Sequence, residues 1–347
     1  MSVAEGPVFV TGATGFLGGK LVELLCARGI ETHVLARASS ERGTLERLPL
    51  RWHAGDLTDE ASLERALAAV SASAARRGTR ARVIHSAALI SYLSRDSERQ
   101  REINVEGTRR MLEGSLRHGV ARFVHVSSVV TVGHSPDGRP LDERAPFASG
   151  KLGVDYVDTK RAAEELVLAA RDRLAVVVVN PSAIFGLVER PSNAVRFMQE
   201  LARGKRPFAT PPGGIAVVGV EDTALGTLAA LERGRPGERY ILSESNWTTH
   251  ALFNLMAREI GARPIRWSLP RWPWPLLVLG ARIVDRVRPM TLTPPQALVL
   301  LGKTMAFDSS KARRELAWNP RPFEQILHET VASLRERGVL PPERTNA

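Results

Sequence analysis

The chain has 347 residues, of which 44% are hydrophobic and 24% charged, which is typical of a globular protein and excludes a disordered or fibrous one. Its formal net charge is +11, but 42 of its 48 cationic residues are Arg, and residues 246–321 carry 12 Lys and Arg against 4 Asp and Glu. Because no nucleic-acid motif accompanies this charge, we do not expect DNA or RNA binding.

The one cysteine and the N-terminal sequence indicate the cellular compartment of the protein. Cys26 excludes an intramolecular disulfide, which fits a reducing environment, and its apolar helical context predicts a core position. The sequence lacks the basic start and long apolar core of a signal peptide, so we expect a cytoplasmic protein. The apolar segment 273–284 is too short to cross a bilayer, but it leaves a contact with a membrane surface open.

The first half of the chain alternates short apolar runs with helical patterns. Strands are predicted at 7–11, 31–36, 50–54, 82–86, 122–126 and 174–180, and helices at 17–28, 59–74, 99–118 and 153–171. The first helix should end at Gly29, where a left-handed cap forms easily. Strands that are apolar on both faces and separated by helices predict a Rossmann fold, an α/β architecture with a doubly wound parallel sheet.

This alternation loosens after Pro181. Residues 1–184 are predicted to form the main Rossmann domain, to which 213–245 return as a helix and strands. Residues 185–212 and 246–347 are predicted to form a smaller, mainly helical lobe. The proline-containing segments "LPRWPWP" and "RPMTLTPP" predict turns or loops within that lobe.

The stretch "VTGATGFLGG" places Gly12, Gly15 and Gly18 between the first strand and the first helix. Glycine at this turn lets a pyrophosphate approach the amide groups at the helix N-terminus, so the loop is predicted to bind a dinucleotide. At the end of the second strand, Arg37 stands where a carboxylate would bind the ribose 2′-hydroxyl. This favours NADP over NAD, because a guanidinium suits a 2′-phosphate.

"YVDTK" places Tyr156 and Lys160 four residues apart on one helix face. A protonated lysine beside a phenol favours the phenolate and would lower the pKa of the tyrosine. Ser127 and Ser128 follow the strand at 122–126, at the sheet edge where ligands of such folds bind. Since no zinc spacing occurs among the eight histidines, His85 and His125 are predicted to be core residues and no metal is expected. Asp222 is predicted to cap the following helix.

In this order and spacing, the motifs resemble those of the extended short-chain dehydrogenase/reductases, in the branch that includes NAD-dependent epimerases and dehydratases, dihydroflavonol reductases and 3-beta-hydroxysteroid dehydrogenases. "TGATGFLG" is similar to the family's glycine loop, which implies cofactor contacts for Thr14, Phe16 and Leu17 as well as the glycines. "GDLTD", "VIHSAA", "NVEGT", "NPSAIFG" and "FDSSKARRELAWNPRPFEQIL" match further family segments in chain order.

The resemblance implies roles for individual residues. Tyr156 would be the acid/base, Lys160 would hold the nicotinamide ribose, Ser128 would hold the substrate oxygen and Asn104 would complete the catalytic set. Asp56 and Leu57 would contact adenine, and Ser127 would support the cofactor side. Further cofactor contacts would come from Ser86, Ala87, Ala88, Leu89, Asn180, Pro181, Ser182 and Ile184. The family also implies a homodimer.

The substrate must be inferred from the second lobe. Nucleotide-sugar enzymes of the family usually carry an arginine where Ile215 stands, and the tyrosine that often precedes the loop glycine is replaced by Val132. An apolar residue cannot compensate a buried diphosphate. The late lobe instead offers apolar side chains for a binding site or for core packing, namely Trp267, Trp272, Trp274, Leu276, Leu277 and Leu279.

These observations predict an NAD(P)H-dependent ketoreductase of secondary metabolism that acts on an apolar, aromatic or lipid-like ketone or alcohol. Two alternatives stay open. One is a nucleotide-sugar epimerase or dehydratase that uses the same tyrosine, and the other is a non-catalytic NAD(P)-binding regulatory protein.

Overall fold

A seven-stranded parallel sheet forms the centre of the fold. The structure is a computed structural model that describes residues 6–147, 152–186, 193–205, 207–288, 290 and 293–342. The sheet contains β1 (Val8–Thr11), β2 (Thr32–Ala36), β3 (Leu50–Ala54), β4 (Arg82–His85), β5 (Arg122–Val126), β6 (Ala175–Pro181) and β10 (Arg239–Leu242). Their spatial order is β10-β6-β5-β4-β1-β2-β3. The order reverses at β1 and β4, which creates the crevice where ligands of such sheets bind.

Helices cover both faces of this sheet. The Rossmann helices are α1 (Phe16–Ala27), α2 (Glu60–Arg76), α3 (Ser97–Arg101), α4 (Gly107–Arg117), α5 (Asp155–Ala169) and α7 (Val220–Arg233). Leu21 of α1 and Leu228 of α7 belong to the apolar core on one face. Leu67 of α2 and Met111 of α4 belong to the core on the other face. The predicted doubly wound α/β fold is confirmed.

Several local predictions need correction. The helix expected over 99–118 begins at Ser97 and is interrupted by a π-helical turn at Glu102–Glu106, which separates α3 from α4. Strand β3 is half exposed rather than apolar on both faces, because it lies at the edge of the sheet. Cys26 is only partly buried. Gly29 does adopt the left-handed conformation expected after α1, with φ 69°.

The second half of the chain adds two small sheets and further helices. Strands β7 (Ala183–Phe185), β9 (Gly214–Gly219) and β11 (Ser245–Thr248) form one sheet, and β8 (Ala209–Thr210) pairs with β12 (Trp267–Ser268). The helices are α6 (Asn193–Ala202), α8 (Thr249–Glu259), α9 (Trp274–Val287), α10 (Pro295–Leu301), α11 (Ser310–Leu316) and α12 (Phe323–Glu336). Among the described residues, no helix is both long and apolar enough to cross a bilayer.

The return of residues 213–245 to the central sheet holds for β10 and not for β9. Strand β10 pairs with β6, whereas β9 pairs with β7 and β11. The lobe has its own apolar core, which includes Met198, Leu252 and Phe323. The exact domain bounds stay a prediction, since parts of 185–212 and of "RPMTLTPP" lie outside the described residues.

Candidate active site

The predicted site residues converge at the carboxyl edge of the central sheet. The glycine loop follows β1, Ser86 follows β4, Ser127 follows β5 and Ser182 follows β6. Since carboxyl ends of parallel strands meet at one edge, four segments distant in sequence come together where ligands of such folds bind, a region here called the cleft.

The glycine loop is closely packed at the turn from β1 into α1. Gly12 has φ 75°, and a Cβ there would lie 2.8 Å from the backbone of Ala87. A Cβ on Gly18 would lie 1.9 Å from the carbonyl oxygen of Gly12. Both positions therefore require glycine. The amide of Gly15 donates to Gly12 O at 2.9 Å and completes the turn.

The start of α1 is suited to an anion. Gly15 precedes the helix, no side chain caps this end and its first turn carries no acidic residue, among the residues described. Helix amides that lack side-chain caps bind phosphate groups well. Thr14 and Phe16 are partly buried, whereas Leu17 packs in the core. A cofactor contact by Leu17 would therefore use its backbone.

Arg37 and Asp56 lie at the outer end of the same edge. Arg37 directly follows β2 and is exposed. Asp56 follows β3, and its Oδ1 accepts hydrogen bonds from the amide and the hydroxyl of Thr58, each at 2.9 Å. Leu57 is buried beside Gly107. This end of the cleft thus offers one cation and one carboxylate for an adenosine moiety.

Tyr156 lies in the first turn of α5, with only 7% of its surface exposed. Burial raises the pKa of its phenol, while a hydrogen bond with the Ser128 side chain lowers it. The ring of Tyr92 packs edge-on against it at 5.8 Å between centroids. Burial is the larger of these two effects, and the expectation that Lys160 lowers the pKa of Tyr156 stays a prediction.

Lys160 lies one turn after Tyr156 and is buried beneath the cleft. Its Nζ donates to the carbonyl oxygen of Val126 at 2.8 Å. Burial lowers its pKa to about 8, while the charge of Glu164 raises it. The ammonium is therefore fixed to the end of β5, directly before the two serines.

Glu164 is a buried residue of the site that the sequence analysis missed. Its Oε2 accepts hydrogen bonds from Ser127 Oγ at 2.5 Å, Thr131 Oγ1 at 2.6 Å and Asn180 Nδ2 at 2.8 Å. Its Oε1 lies 2.8 Å from Arg239 Nε as an ion pair. The available signal was spacing, since Tyr156, Lys160 and Glu164 recur every fourth residue on one helix face.

Asn104 supports the loop after β4. Its Oδ1 accepts from the amide of Leu89 at 2.7 Å, and its Nδ2 donates to Leu89 O at 3.0 Å and to Thr159 Oγ1 at 3.2 Å. The π-turn that carries Asn104 thus ties this loop to α5, and π-turns are frequent at functional sites. In the same loop, the amide of Ala87 donates to Thr11 Oγ1 at 3.3 Å, and Ser86 and Ala88 follow β4 directly.

The segment after β6 closes the cleft. Pro181 ends β6, and Ile184 is partly buried in β7. The hydroxyl of Ser182 is buried and has no hydrogen-bond partner among the residues described. Three features of this edge fit a bound dinucleotide: the buried hydroxyl of Ser182 without a partner, the glycine loop, and the start of α1 without a side-chain cap.

Other predicted residues have structural roles. His85 and His125 are fully buried in β4 and β5, and burial lowers the pKa of both rings. No group of His, Cys, Asp and Glu in the described part of the chain could hold a metal. Asp222 does not cap α7 as expected. It lies inside the first turn, where its Oδ1 accepts from the amide of Arg321 at 3.1 Å and fixes the segment that follows α11.

The apolar residues proposed for a substrate pocket fall into two groups, one lining a cleft and the other exposed to solvent. Trp274 lines a cleft of about 340 Å³ together with His134, Arg271 and Lys303. Trp267, Trp272, Leu276, Leu277 and Leu279 are instead exposed by 48–78% of their surface, so they are neither core nor pocket lining. Val132 is buried, and Ile215 packs against the core of the lobe, so neither position presents a charge.

Comparisons with known proteins agree with this geometry. The profile of the family described as "NAD dependent epimerase/dehydratase family" matches residues 8–243. "Sterol demethylase protein B" of Methylococcus capsulatus is 32% identical, over 95% of this chain and 99% of that protein. A "4-hydroxy-2-methyl-3-oxo-4-farnesyl-3,4-dihydroquinoline-1-oxide ketoreductase" of Stigmatella aurantiaca is 30% identical, over 95% and 96%.

A solved structure shows the same fold over nearly the whole chain. The crystal structure of gox2253 has a TM-score of 0.83 and 31% identity, and the match covers 97% of this chain and 100% of that one. The family match and the similarity to these relatives over nearly their whole length lead to one assignment. The chain is an enzyme of the NAD dependent epimerase/dehydratase family, an oxidoreductase of the extended short-chain dehydrogenase/reductase type.

Proposed function

We propose that this enzyme interconverts a ketone and a secondary alcohol on an apolar, aromatic or lipid-like small molecule. The observation that carries the proposal is the buried phenol of Tyr156, whose pKa the neighbouring Ser128 side chain lowers. Two hydroxyl groups that interact in this way can both bind one carbonyl oxygen.

Four residues of the chain have separate roles in the proposed reaction. Ser128 holds and polarises the carbonyl oxygen, and Tyr156 donates a proton to it as negative charge develops. Lys160 holds positive charge beneath the cleft, and Asn104 fixes the loop at Leu89. A nicotinamide cofactor held by the glycine loop and its neighbours would supply the hydride.

The acid–base state of Tyr156 favours reduction. Because burial raises the pKa of the phenol, Tyr156 is protonated at neutral pH and is ready to act as a general acid. Oxidation of an alcohol needs the phenolate, which burial disfavours. With NADPH as the proposed reductant, ketone reduction is the proposed direction.

The surroundings of Tyr156 support an apolar substrate. Its cluster contains Val130, Val154 and Val157, with Val299, Leu300 and Met305 packed against it. This apolar packing around the phenol supports an apolar ligand over a strongly charged one. The names of two relatives, with a sterol and a farnesyl group, point to the same class of molecule.

NADPH is the proposed reductant. Arg37 is exposed directly after β2, at the position where the adenosine ribose lies in folds of this type. A guanidinium there binds a 2′-phosphate through charge-assisted hydrogen bonds. The homodimer and the cytoplasmic location implied by the sequence stay predictions.

A substrate panel tests this function. Purified enzyme is mixed with NADPH or NADH and with apolar ketones, among them a sterol ketone and an aromatic ketone, and with nucleotide sugars in parallel. We expect stoichiometric NADPH oxidation with at least one apolar ketone. Conversion of a nucleotide sugar without net cofactor consumption would instead establish an epimerase, and no reaction with tight nucleotide binding would favour a regulatory protein.

A further inference from the structure

Helix α9 presents an apolar face to solvent. Leu276, Leu279, Ile283 and Val287 are exposed by 65%, 54%, 55% and 87%, and Leu277 and Val284 lie beside them at 48% and 51%. At 100° per residue these side chains lie on one side of the helix. Exposed apolar patches of this kind mark interaction surfaces in globular proteins.

The opposite face of α9 is packed against α10. The indole of Trp274 donates to Leu298 O at 3.0 Å, and a Cβ on Gly302 would overlap that indole at 2.2 Å. Val278, on the same face, is buried. The apolar side chains therefore face outward because the inner face already has its partner.

The hairpin of α9 and α10 is fixed to the catalytic helix. Gln296 of α10 accepts from the amide of Asp155 at 3.0 Å and donates to its carboxylate at 2.7 Å. Asp155 directly precedes Tyr156. Val299 and Leu300 of α10 pack against the cluster that contains Tyr156. A surface that binds α9 is thus connected to the site through the packing of α9 on α10 and the hydrogen bonds of α10 to Asp155.

The charge around α9 identifies its partner. Residues 271–288 contain four arginines and one carboxylate, Asp285. Arg286 and Arg288 are exposed at the C-terminal end of the apolar face, and Trp272 is 78% exposed just before its start. Arginine beside an apolar face, with tryptophan at its edge, suits the interface of an anionic bilayer. A second copy of this chain would instead bring like charges together.

We propose that α9 docks on an anionic lipid surface, with its apolar face at the boundary between headgroups and acyl chains. Docking brings the Tyr156 site next to the bilayer in which apolar ketones partition. This link to catalysis rests on the proposed function, whereas the docking itself does not.

Flotation with vesicles tests the docking. Wild-type enzyme is mixed with phosphatidylcholine vesicles that contain phosphatidylglycerol or lack it, and we expect flotation with the anionic vesicles. The double variant Leu279→Ser/Ile283→Ser should lower the bound fraction about tenfold or more, because two anchors no longer enter the bilayer. Leu225→Ser, at an exposed leucine of α7, is the matched control and should bind like wild type.

A second pair of variants tests the charge. Arg286→Glu/Arg288→Glu should lower binding about tenfold, whereas Arg65→Glu/Arg173→Glu, the same charge change elsewhere on the surface, should lower it less. Equal losses in both pairs, no flotation of wild type, or a dimer that the Leu279 and Ile283 changes dissociate would each overturn the proposal.

Activity separates this proposal from the proposed function. NADPH oxidation with a water-soluble apolar ketone, measured without vesicles, should be the same in wild type and in the α9 variants. Turnover of a ketone without vesicle binding would refute the docking proposal and leave the proposed function intact. Vesicle binding without turnover of any ketone would refute the proposed function and leave docking intact.

Discussion

The carboxylate of Glu164 lies one helical turn after Lys160 and favours the charged form of its ammonium inside the protein. Burial lowers the pKa of Lys160 to about 8, and the charge of Glu164 limits that fall. The same carboxylate accepts hydrogen bonds from Ser127 and Asn180. A single buried side chain therefore connects the charge of the site to the two strand ends that shape it.

This arrangement predicts the alkaline limb of the pH profile. Lys160 is protonated below about pH 8 and loses its proton as the pH rises through that value, so kcat for ketone reduction should fall there. In Glu164→Gln the carboxylate charge that raises the pKa of Lys160 is gone. The midpoint of the limb should therefore move to lower pH, as measured from kcat profiles.

Glu165→Gln is the matched control. Glu165 is the next residue, but it is 59% exposed and pairs with Arg161. Its profile should match wild type, and Glu164→Asp, which retains the charge, should restore part of the shift. An unchanged midpoint in Glu164→Gln would contradict the electrostatic link.

Substitution of Ser128 should lower kcat more than substitution of Ser127. Ser128→Ala removes the hydroxyl proposed to hold the carbonyl oxygen and should lower kcat about 10²-fold, the usual effect of losing one donor to a developing oxyanion. Ser127→Ala removes a partner of Glu164 instead, so its loss of kcat should be smaller. Steady-state kinetics of both variants with one ketone measure the two losses of kcat. Equal losses would contradict the role of Ser128 in holding the carbonyl oxygen.

The cofactor preference should depend on Arg37. Arg37→Asp replaces a cation that suits a 2′-phosphate by an anion that repels it. The ratio of kcat/KM for NADPH to that for NADH should fall about 10- to 100-fold. Arg47→Asp, the same charge change at an exposed position just before β3, should leave the ratio unchanged. No change in Arg37→Asp would show that the 2′-phosphate is bound elsewhere.

Asp222 should matter for stability and not for chemistry. Asp222→Ala leaves the amide of Arg321 without its acceptor and should lower the free energy of unfolding by about 2 kcal/mol. Glu221→Ala removes only a half-exposed ion pair with Arg321 and should cost less than about 1 kcal/mol. Urea denaturation measures both, and a kcat loss in folded Asp222→Ala would contradict this purely structural role.

Much of the Rossmann domain could be predicted because its signals are local. The predicted bounds of β3 and β5 match the observed ones, and the spacing of Gly12, Gly15 and Gly18 predicted the tight turn between β1 and α1. Tyr156 and Lys160 were found because they share one helix face. Each of these features depends on residues close together in sequence.

The features that were missed depend on distant contacts. The π-turn at Asn104 forms around a hydrogen bond to Leu89, and β9 pairs with β11 instead of joining the central sheet. The pKa of Tyr156 is governed by burial, which residue spacing does not report. The outward direction of Leu279 follows only from what the other face of α9 packs against.

The turnover of Tyr156→Phe tests the central claim most directly. The substitution removes only the phenolic oxygen, so nucleotide binding, measured by NADPH fluorescence, should stay within about twofold of wild type. The rate of ketone reduction should fall at least about 10²-fold, because no proton reaches the developing alkoxide. Wild-type turnover in Tyr156→Phe, with the nucleotide bound normally, would contradict the account.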